Sequence, residues 1–375
     1  MTQQKKVKVL HVAQAAGGVD RYLRMLLKYT DKDKFENIVV FSQDYRQENY
    51  KMVVDTYETV EMKRTIGISD LKAVANVRKL IKNYEPDIVY AHSSKAGAIA
   101  RIANIGMKNR CIYNPHGWAF NMCCSKIKRF AYAMIEKMAA LFCDKIICIS
   151  DAEKQSALRM KICKEDKLQV IYNGIDIEDY ESKKHGALCR KQLGIPENAF
   201  VIGMVGRLSE QKAPDIFVKA AEQIKNKIEN TYFLMVGNGE LEQEIRHLAD
   251  ESGLENCLKI TGWVDNPMEY IELFDVACLL SRWEGFGLVL PEYMLARKPI
   301  IATNVDAIPN IIRNEENGIL VSVNNIEEIV DAVSKLHQNQ ELKNKLIVRE
   351  VLDVRKYDAR RMADESMRIY YRIIA

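Results

Sequence analysis

The chain has 375 residues, 48% of them hydrophobic and 28% charged. That is the content of about two globular domains of 150 to 200 residues each, and it excludes a disordered or low-complexity protein. The net charge of +4 is unevenly spread: residues 1–185 carry 32 Lys and Arg against 22 Asp and Glu, and residues 186–375 carry 23 against 29. An anionic surface is therefore expected beside the first half, while no helix-turn-helix, zinc-finger or RNA-binding signature supports a nucleic-acid partner.

From Met1 to Lys8 the chain is polar and basic, without the apolar core and small-residue cleavage site of a signal peptide. Export is not expected. A membrane span is not expected either, because roughly 18 uninterrupted apolar residues are needed, and the most apolar segment, Ala131 to Ile149, contains Glu136, Lys137, Asp144 and Lys145. The nine cysteines form no C-x-x-C pair and no zinc spacing, and read as reduced thiols of a cytoplasmic protein.

In chain order, Val7 to Val12 reads as a strand, Ala13 to Gly18 as a turn, and Asp20 to Tyr29 as a helix with Leu23, Leu26 and Leu27 on one face. Ile38 to Phe41 predicts a strand, Leu71 to Asn83 a helix and Asp87 to Ala91 a buried strand. Ala96 to Ile105 then predicts a helix, and Cys111 to Asn114 and Lys145 to Ile149 further strands. A polar zone around Asp179 to Gly186 interrupts the alternation. The plan restarts at Phe200 to Val205 and continues with strands at Tyr232 to Val236, Leu258 to Thr261, Val276 to Leu280 and Pro299 to Thr303. Strand and helix alternating in this way predict an α/β protein with two doubly wound parallel sheets, divided near residue 185, and a last helix over Ala359 to Ile374. Ligands of such sheets bind beyond the carboxyl ends of the strands, so the loops there are where chemistry is sought.

Two of those loops suit a phosphorylated ligand. Ser281 to Glu292 places Glu284 and Glu292 eight apart around Gly285 and Gly287, which break a continuous helix. A helix starting near Pro291 leaves Gly285, Phe286, Gly287, Leu288 and Val289 as a loop with backbone N–H groups turned outward, suited to an anion. Gly206-Arg207-Leu-Ser-Glu-Gln-Lys212, after the first strand of the second half, puts a guanidinium and an ammonium on one loop, the charges a departing diphosphate requires. Between Arg101 and Lys145, Lys108, Arg110, Lys126, Lys128, Arg129 and Lys137 alternate with Phe130, Tyr132, Met134 and Met138. That pattern fits an amphipathic helix on an anionic membrane surface, or an ordinary solvated basic face.

These elements and their order resemble family 4 of the glycosyltransferases along nearly the whole chain. The resemblance is carried by Gly17-Gly-Val19, His92-Ser-Ser-Lys95, Asn114-Pro-His-Gly117, Ile149-Ser150, Ile171-Tyr-Asn-Gly-Ile-Asp176, Gly206-Arg207 with Lys212, Val236-Gly-Asn-Gly239, and the E-x7-E pair Glu284 and Glu292. It implies the GT-B fold, two Rossmann-like domains facing across a cleft. Residues 1–185 would bind the acceptor and 186–355 the nucleotide sugar, with 356–375 a helix packing back on the first domain.

The same resemblance implies the roles of single residues. Arg207 and Lys212 bind the donor diphosphate, with backbone N–H groups of Leu288 and Val289. Glu292 holds the ribose, Glu284 with the Gly285-Phe286 backbone holds the transferred sugar, and the segment Gly262-Trp-Val264 flanks the base. Gly206, Gly237 and Gly287 belong to the same donor-binding set, and Gly17 and Gly18 allow close approach at the first domain. His116 aligns with the family's active-site histidine and bonds a sugar hydroxyl, while His11 reads as a core histidine and His92 as a lining or capping residue.

The implied activity is retaining transfer of a hexose or N-acetylhexosamine from a UDP-sugar, or with second preference a GDP-sugar. The acceptor is a saccharide, expected to be lipid-linked, and the enzyme is expected on the cytoplasmic face of the cell membrane. No cofactor and no metal are implied, since Arg207 and Lys212 supply the positive charge and no D-x-D motif ends a strand. The alternatives are a non-catalytic sugar-nucleotide-binding protein, or a UDP-sugar epimerase or phosphorylase on the same scaffold. A dinucleotide oxidoreductase lacks its G-x-G-x-x-G. The fit loosens after Thr303, where the family's Gly-Gly is Asp306-Ala307 and its Pro-Glu is Pro309-Asn310, and at Lys298, where a small Gly is usual.

Overall fold

The computed structural model describes residues 5–375 apart from 15–16, 44, 46–47, 49, 64–66, 123–124, 183–185 and 187. Ala15 and Ala16 of the expected first turn and residues 183–185 of the expected boundary lie outside the described residues. The chain divides into two compact units, Met1–Asp176 with Asp358–Ala375, and Ile177–Tyr357.

The first unit runs β1 (Val7–Ala13), α1 (Gly18–Tyr29), β2 (Phe35–Phe41), β3 (Thr56–Thr59), α2 (Ser69–Tyr84), β4 (Ile88–His92) and α3 (Ser94–Ala103). It continues with β5 (Arg110–Asn114), α4 (Lys126–Ala139), β6 (Lys145–Cys148), α5 (Asp151–Arg159) and β7 (Leu168–Val170). The second runs α6 (Ile177–Ser182), β8 (Phe200–Val205), α7 (Pro214–Lys227), β9 (Thr231–Val236), α8 (Glu242–Glu251), β10 (Leu258–Ile260), α9 (Pro267–Ile271) and β11 (Val276–Leu279). After these come α10 (Val289–Leu295), β12 (Ile300–Thr303), α11 (Ile308–Ile311), β13 (Ile319–Val321), α12 (Ile326–Gln338) and α13 (Gln340–Asp353), and the chain ends in α14 (Ala359–Ile374) of the first unit.

Both sheets are parallel, in the orders β3-β2-β1-β4-β5-β6-β7 and β10-β9-β8-β11-β12-β13. In each, the winding reverses between two central strands, β1 and β4 or β8 and β11, and the loops leaving those strands part to opposite sides. The central strands are buried on both faces, which is why they read as apolar runs. Leu10, Val12, Val89 and Ala91 pack with Val77 and Ile81 of α2 and Ile99 of α3. The alternate residues Val9 and Tyr90 pack with Tyr22 and Leu26 of α1 and Met362, Ile369 and Tyr370 of α14. The period-2 alternation of side chains thus assigns each strand residue to one helical layer. α14 buries Met362, Ala363, Ser366, Ile369, Tyr370 and Ile373, a stripe at helical spacing, and its N-cap Asp358 accepts from the Arg360 N–H.

The layout of α4 is inverted relative to an ordinary surface helix. Its inner face holds only Ala133 and Glu136, while Ile127 (82% exposed), Phe130 (66%), Met134, Ile135 and Met138 point to solvent, followed by Leu141 and Phe142. Glu136 is held by Arg101 of α3 at 3.0 Å and by the Tyr113 hydroxyl of β5 at 2.8 Å. Arg101 also donates to the Gly97 carbonyl and lies 3.8 Å from the centre of the Tyr113 ring. Among the described residues no helix is long and apolar enough to cross a membrane.

Candidate active site

In the second unit the loops after β8 and β11, the two strands at the reversal, come together. Val205 ends β8, and the chain passes through Gly206, Arg207, Leu208 and Ser209 into a single 3-10 turn at Glu210–Lys212 before Pro214 opens α7. The loop after β9 supports this passage from beneath. The Gly206 N–H donates to the Val236 carbonyl at 3.0 Å, the Leu208 N–H to Asn238 O at 2.9 Å and the Leu241 N–H to Leu208 O at 3.0 Å. Gly237 is required there twice over: its φ is +131°, and a Cβ would lie 2.1 Å from the Gly206 carbonyl oxygen.

From this turn Lys212 reaches across to the carboxylate of Glu284, which is buried and also accepts from the Ser281 hydroxyl at 3.0 Å. The ion pair thus stands on the loops of β8 and β11, where a doubly wound sheet offers its ligand site. Arg282, given no role from sequence, ties the same loops. Its side chain donates to Glu210 O at 2.8 Å, to Asp215 at 2.7 Å and to Asn324 at 3.0 Å, and its N–H donates to Gln211 O at 2.8 Å. Gln211 returns a bond to the Trp283 carbonyl at 3.0 Å. Arg207 lies apart from this cluster on the surface, paired with Glu240 at 2.8 Å.

The helix after the glycine-rich turn begins at Val289, two residues before the start expected at Pro291. Gly287, at φ +81°, makes the turn, and the Leu290 N–H already bonds the Gly287 carbonyl at 2.9 Å. Pro291 then falls inside the first turn, where its missing N–H costs no helical bond. Gly285, Phe286, Gly287 and Leu288 form the loop and Val289 is the first helical residue. Glu292 is buried in α10, which Tyr293 locks to the sheet: its hydroxyl accepts from the Val205 N–H at 2.9 Å and donates to the Cys278 carbonyl at 3.2 Å. Phe286 is buried with its ring edge-on to Tyr357. Val264 is half-buried beside the exposed Trp263, on a segment whose Gly262 bridges Gly237.

The departure at Asp306 has a structural function. Asp306 adopts φ +46°, the left-handed conformation a glycine would take and Asp tolerates better than most residues, and its carboxylate accepts the Glu284 N–H at 3.0 Å. The next N–H, of Ala307, bonds the Glu284 carbonyl at 3.3 Å. Glu284 is thereby fixed at its backbone by a group the family's Gly-Gly lacks.

In the first unit, Gly17 (φ +87°) precedes α1 and Gly18 opens it, both exposed beyond the end of β1. His116 follows β5 with φ +52°, and its N–H donates to Asn114 Oδ1 at 2.9 Å. Its neighbour Gly117 donates to Glu153 at 2.7 Å, and the Trp118 indole to the Glu153 carbonyl at 3.0 Å. Glu153 also accepts the Ile149 N–H at 2.7 Å, while the Ser150 hydroxyl caps α5 by accepting the Glu153 N–H. Burial raises the Glu153 carboxyl to about 7. Ser150-x-x-Glu153 has the form of a capping box, the sequence signal that could have marked Glu153. Burial holds the imidazoles of His116 and His11 down to about 3 and about 4 and that of His92 well below its usual value, so these rings are neutral near pH 7. Among the described residues no three His, Cys, Asp or Glu side chains gather as a metal site.

The fold recurs among solved structures. Anabaena HepE, crystallised with UDP and glucose, matches 97% of this chain and 99% of its own with a TM-score of 0.84 at 21% identity. Sucrose-phosphate synthase of Thermosynechococcus elongatus matches 98% and 99% with a TM-score of 0.83 at 18% identity. Two Rossmann-like parallel-sheet units of this kind define the GT-B class.

Residues 16–179 match the family model for glycosyltransferase family 4, and residues 188–350 the model for glycosyl transferases group 1. The Escherichia coli UDP-Gal:alpha-D-GlcNAc-diphosphoundecaprenol alpha-1,3-galactosyltransferase is 32% identical over 280 residues, 73% of this chain and 72% of that enzyme. The capsular polysaccharide biosynthesis glycosyltransferase CapM of Staphylococcus aureus is 26% identical over 351 residues, 90% of each chain. The chain belongs to glycosyltransferase family 4 and is a glycosyltransferase.

Proposed function

We propose that the enzyme transfers a hexose or N-acetylhexosamine, with retention of configuration, from a UDP-sugar to a lipid-linked saccharide in surface-polysaccharide assembly. The observation that carries this reading is the Lys212–Glu284 pair on the loops at the sheet reversal of a family 4 chain. The E. coli relative's name states a UDP-sugar donor, a diphosphoundecaprenol-linked acceptor and an α linkage, and an α product from an α-configured nucleotide sugar is retention.

In the proposed step the bond between the sugar's C1 and the β-phosphate oxygen breaks as the acceptor hydroxyl oxygen bonds C1 on the same face. The hydroxyl proton passes to the departing phosphate. Negative charge grows on that phosphate, and Lys212, Arg207 and the N–H groups of Leu288 and Val289 stabilise it. Glu284 holds the sugar's hydroxyls, Glu292 the ribose, and the Val264 segment flanks the base. His116, uncharged near pH 7, serves as a hydrogen-bonding group to a sugar hydroxyl. In this reading Lys212, with Arg207 turned in from its surface pair with Glu240, does the work that a divalent ion would do for the diphosphate, and the reaction is proposed to be metal-independent.

The acceptor's lipid gives α4 its part. Ile127, Phe130, Met134, Met138 and Leu141 lie along one outward stripe, flanked by Lys126 and Lys137 on one side and Lys128 on the other. Contiguous exposed apolar side chains rimmed by cations suit insertion at an anionic interface, here the cytoplasmic face of the cell membrane.

Transfer from a UDP-sugar to a lipid-linked acceptor in anionic vesicles, beside a water-soluble acceptor analogue, tests both parts. Replacing Lys126, Lys128 and Arg129 by Glu should lower the vesicle rate on the order of a hundredfold, at about 1 kcal/mol per cation lost. The soluble-acceptor rate should stay within about twofold, as surface substitutions usually allow. An unchanged vesicle rate contradicts the membrane part, and no transfer by the unaltered enzyme to any acceptor contradicts the whole.

A further inference from the structure

Three imidazoles and one amide form a continuous row across the first sheet, on the face covered by α1 and α14. The register of the parallel strands builds it. Asn37 of β2 stands opposite Val9 of β1, and two residues on is His11. His11 stands opposite Tyr90 of β4, and two residues on is His92. His92 stands opposite Asn114 of β5, and two residues on is His116. A step of two keeps the side chains of Asn37, His11 and His92 on one face of the sheet, and His116, two residues past the end of β5 and with φ +52°, carries the row on beyond the carboxyl ends of the strands. Its contacts are His11 Nε2 to Asn37 Oδ1 at 3.2 Å, His11 Nδ1 to His92 Nε2 at 3.2 Å, and His92 Nδ1 to His116 Nε2 at 3.1 Å. Asn37, His11 and His92 are buried, and the ring of Tyr22 closes over His116 edge-on at 4.6 Å between centroids.

A neutral imidazole has one N–H donor and one lone-pair nitrogen. Each nitrogen-to-nitrogen contact holds a single hydrogen, so the state of one ring dictates the next. An amide oxygen only accepts; His11 must therefore donate from Nε2 and accept at Nδ1. His92 must in turn donate from Nε2 to His11, and His116 from Nε2 to His92. The one ring nitrogen left over is Nδ1 of His116, carrying a lone pair. Turning the Asn37 amide over would reverse every hydrogen in the row and make that same atom a donor.

We propose that Asn37, His11 and His92 are positioning residues that lock His116 in its Nε2–H tautomer, so that its Nδ1 accepts a hydrogen bond from a substrate hydroxyl. The proposal rests on the reading of His116 as a group that touches a sugar, and it adds the direction of that bond and the residues that set it. A fixed acceptor selects a ligand group that can donate, such as a hydroxyl, over an ether or carbonyl oxygen at the same place.

Long-range proton–nitrogen NMR spectra of the full chain labelled with 15N-histidine read the tautomers directly. At pH 7.5 the unaltered enzyme should show His11, His92 and His116 each protonated at Nε2 alone. Protonation of His116 at Nδ1, or averaging of its two tautomers, overturns the proposal. Asn37→Leu removes the anchor; His116 should then exchange between tautomers and kcat should fall about 10- to 100-fold, the usual cost of losing a group that orients another. The donor KM should move less than about threefold, since the donor's other contacts are untouched. Asn37→Asp keeps an acceptor at that place and should keep both the tautomer and most of the rate. A folded Asn37→Leu enzyme with averaged tautomers and an unchanged kcat also overturns the proposal. A His116→Ala enzyme that transfers at the normal rate would overturn the underlying reading of His116 instead, whatever the spectra show.

Discussion

Lys212→Met should lower kcat by about 10²- to 10³-fold while the enzyme stays folded, the cost of removing one fixed group that stabilises developing charge. Methionine is chosen because it keeps most of the aliphatic stem, which packs over Gly206: a Cβ on that glycine would meet the Lys212 side chain at 3.5 to 3.8 Å. The substitution thus removes the ammonium and little else. That ammonium is paired with Glu284; in the proposed donor complex it stands between Glu284 on the sugar and the diphosphate, and its charge counts most as the bond to C1 breaks. Steady-state kinetics with the sugar nucleotide found to serve as donor, beside a thermal melt to show folding, check this. A rate within about threefold of normal, well below the change expected from a transition-state contact, would remove Lys212 from the leaving-group site.

The second large effect is on stability. Glu136→Ala should destabilise the first unit by about 3–5 kcal/mol, because a buried guanidinium is left without its carboxylate. Arg101 and Glu136 are both buried, and removing the acid also strands the Tyr113 hydroxyl. Replacing both partners by apolar residues, Arg101→Met with Glu136→Leu, should recover most of the loss, since the penalty arises from the unpaired charge. Denaturant unfolding of the three variants measures it; a loss below about 1 kcal/mol for Glu136→Ala, the range of an exposed pair, would contradict the role given to Glu136. This pair fixes α4 by a polar contact and leaves its apolar side chains for the outside, the face to which the proposed function gives the membrane.

That inversion was only half legible in the sequence. The spacing of Phe130, Met134 and Met138 showed an amphipathic helix, but periodicity does not say which face turns inward, and the partner that decides it, Arg101, lies 35 residues away. The central strands were legible because burial on both faces makes them apolar throughout. The edge strands β3, with Thr56-Tyr-Glu-Thr59, and β7, with Leu168-Gln-Val170, carry too short and too mixed a pattern to stand out. Sequence places the start of α10 two residues late because Pro291 suits the first helical position, although a proline is tolerated elsewhere in the first turn. Lys212 and Glu284 stand out in the sequence as separate groups on separate loops, and the structure brings them into contact across 72 residues. Arg282 was visible as a residue but not as a brace, since its partners Glu210, Asp215 and Asn324 come from other loops. The histidine row was hidden for a further reason: His11, His92 and His116 become neighbours only through the register of β1, β4 and β5 and the turn that follows β5.

Binding of a nucleotide diphosphate sugar through the loops after β8 and β11 is open to direct measurement. A thermal-shift panel of UDP-, GDP-, ADP- and dTDP-sugars, run on the unaltered enzyme and on Arg207→Ala, reads it, because a ligand that binds only the folded chain raises its stability by mass action. UDP-sugars should give a clear upward shift, reduced in the variant. No shift with any of the four at millimolar concentration, from a protein shown to be folded, would contradict it.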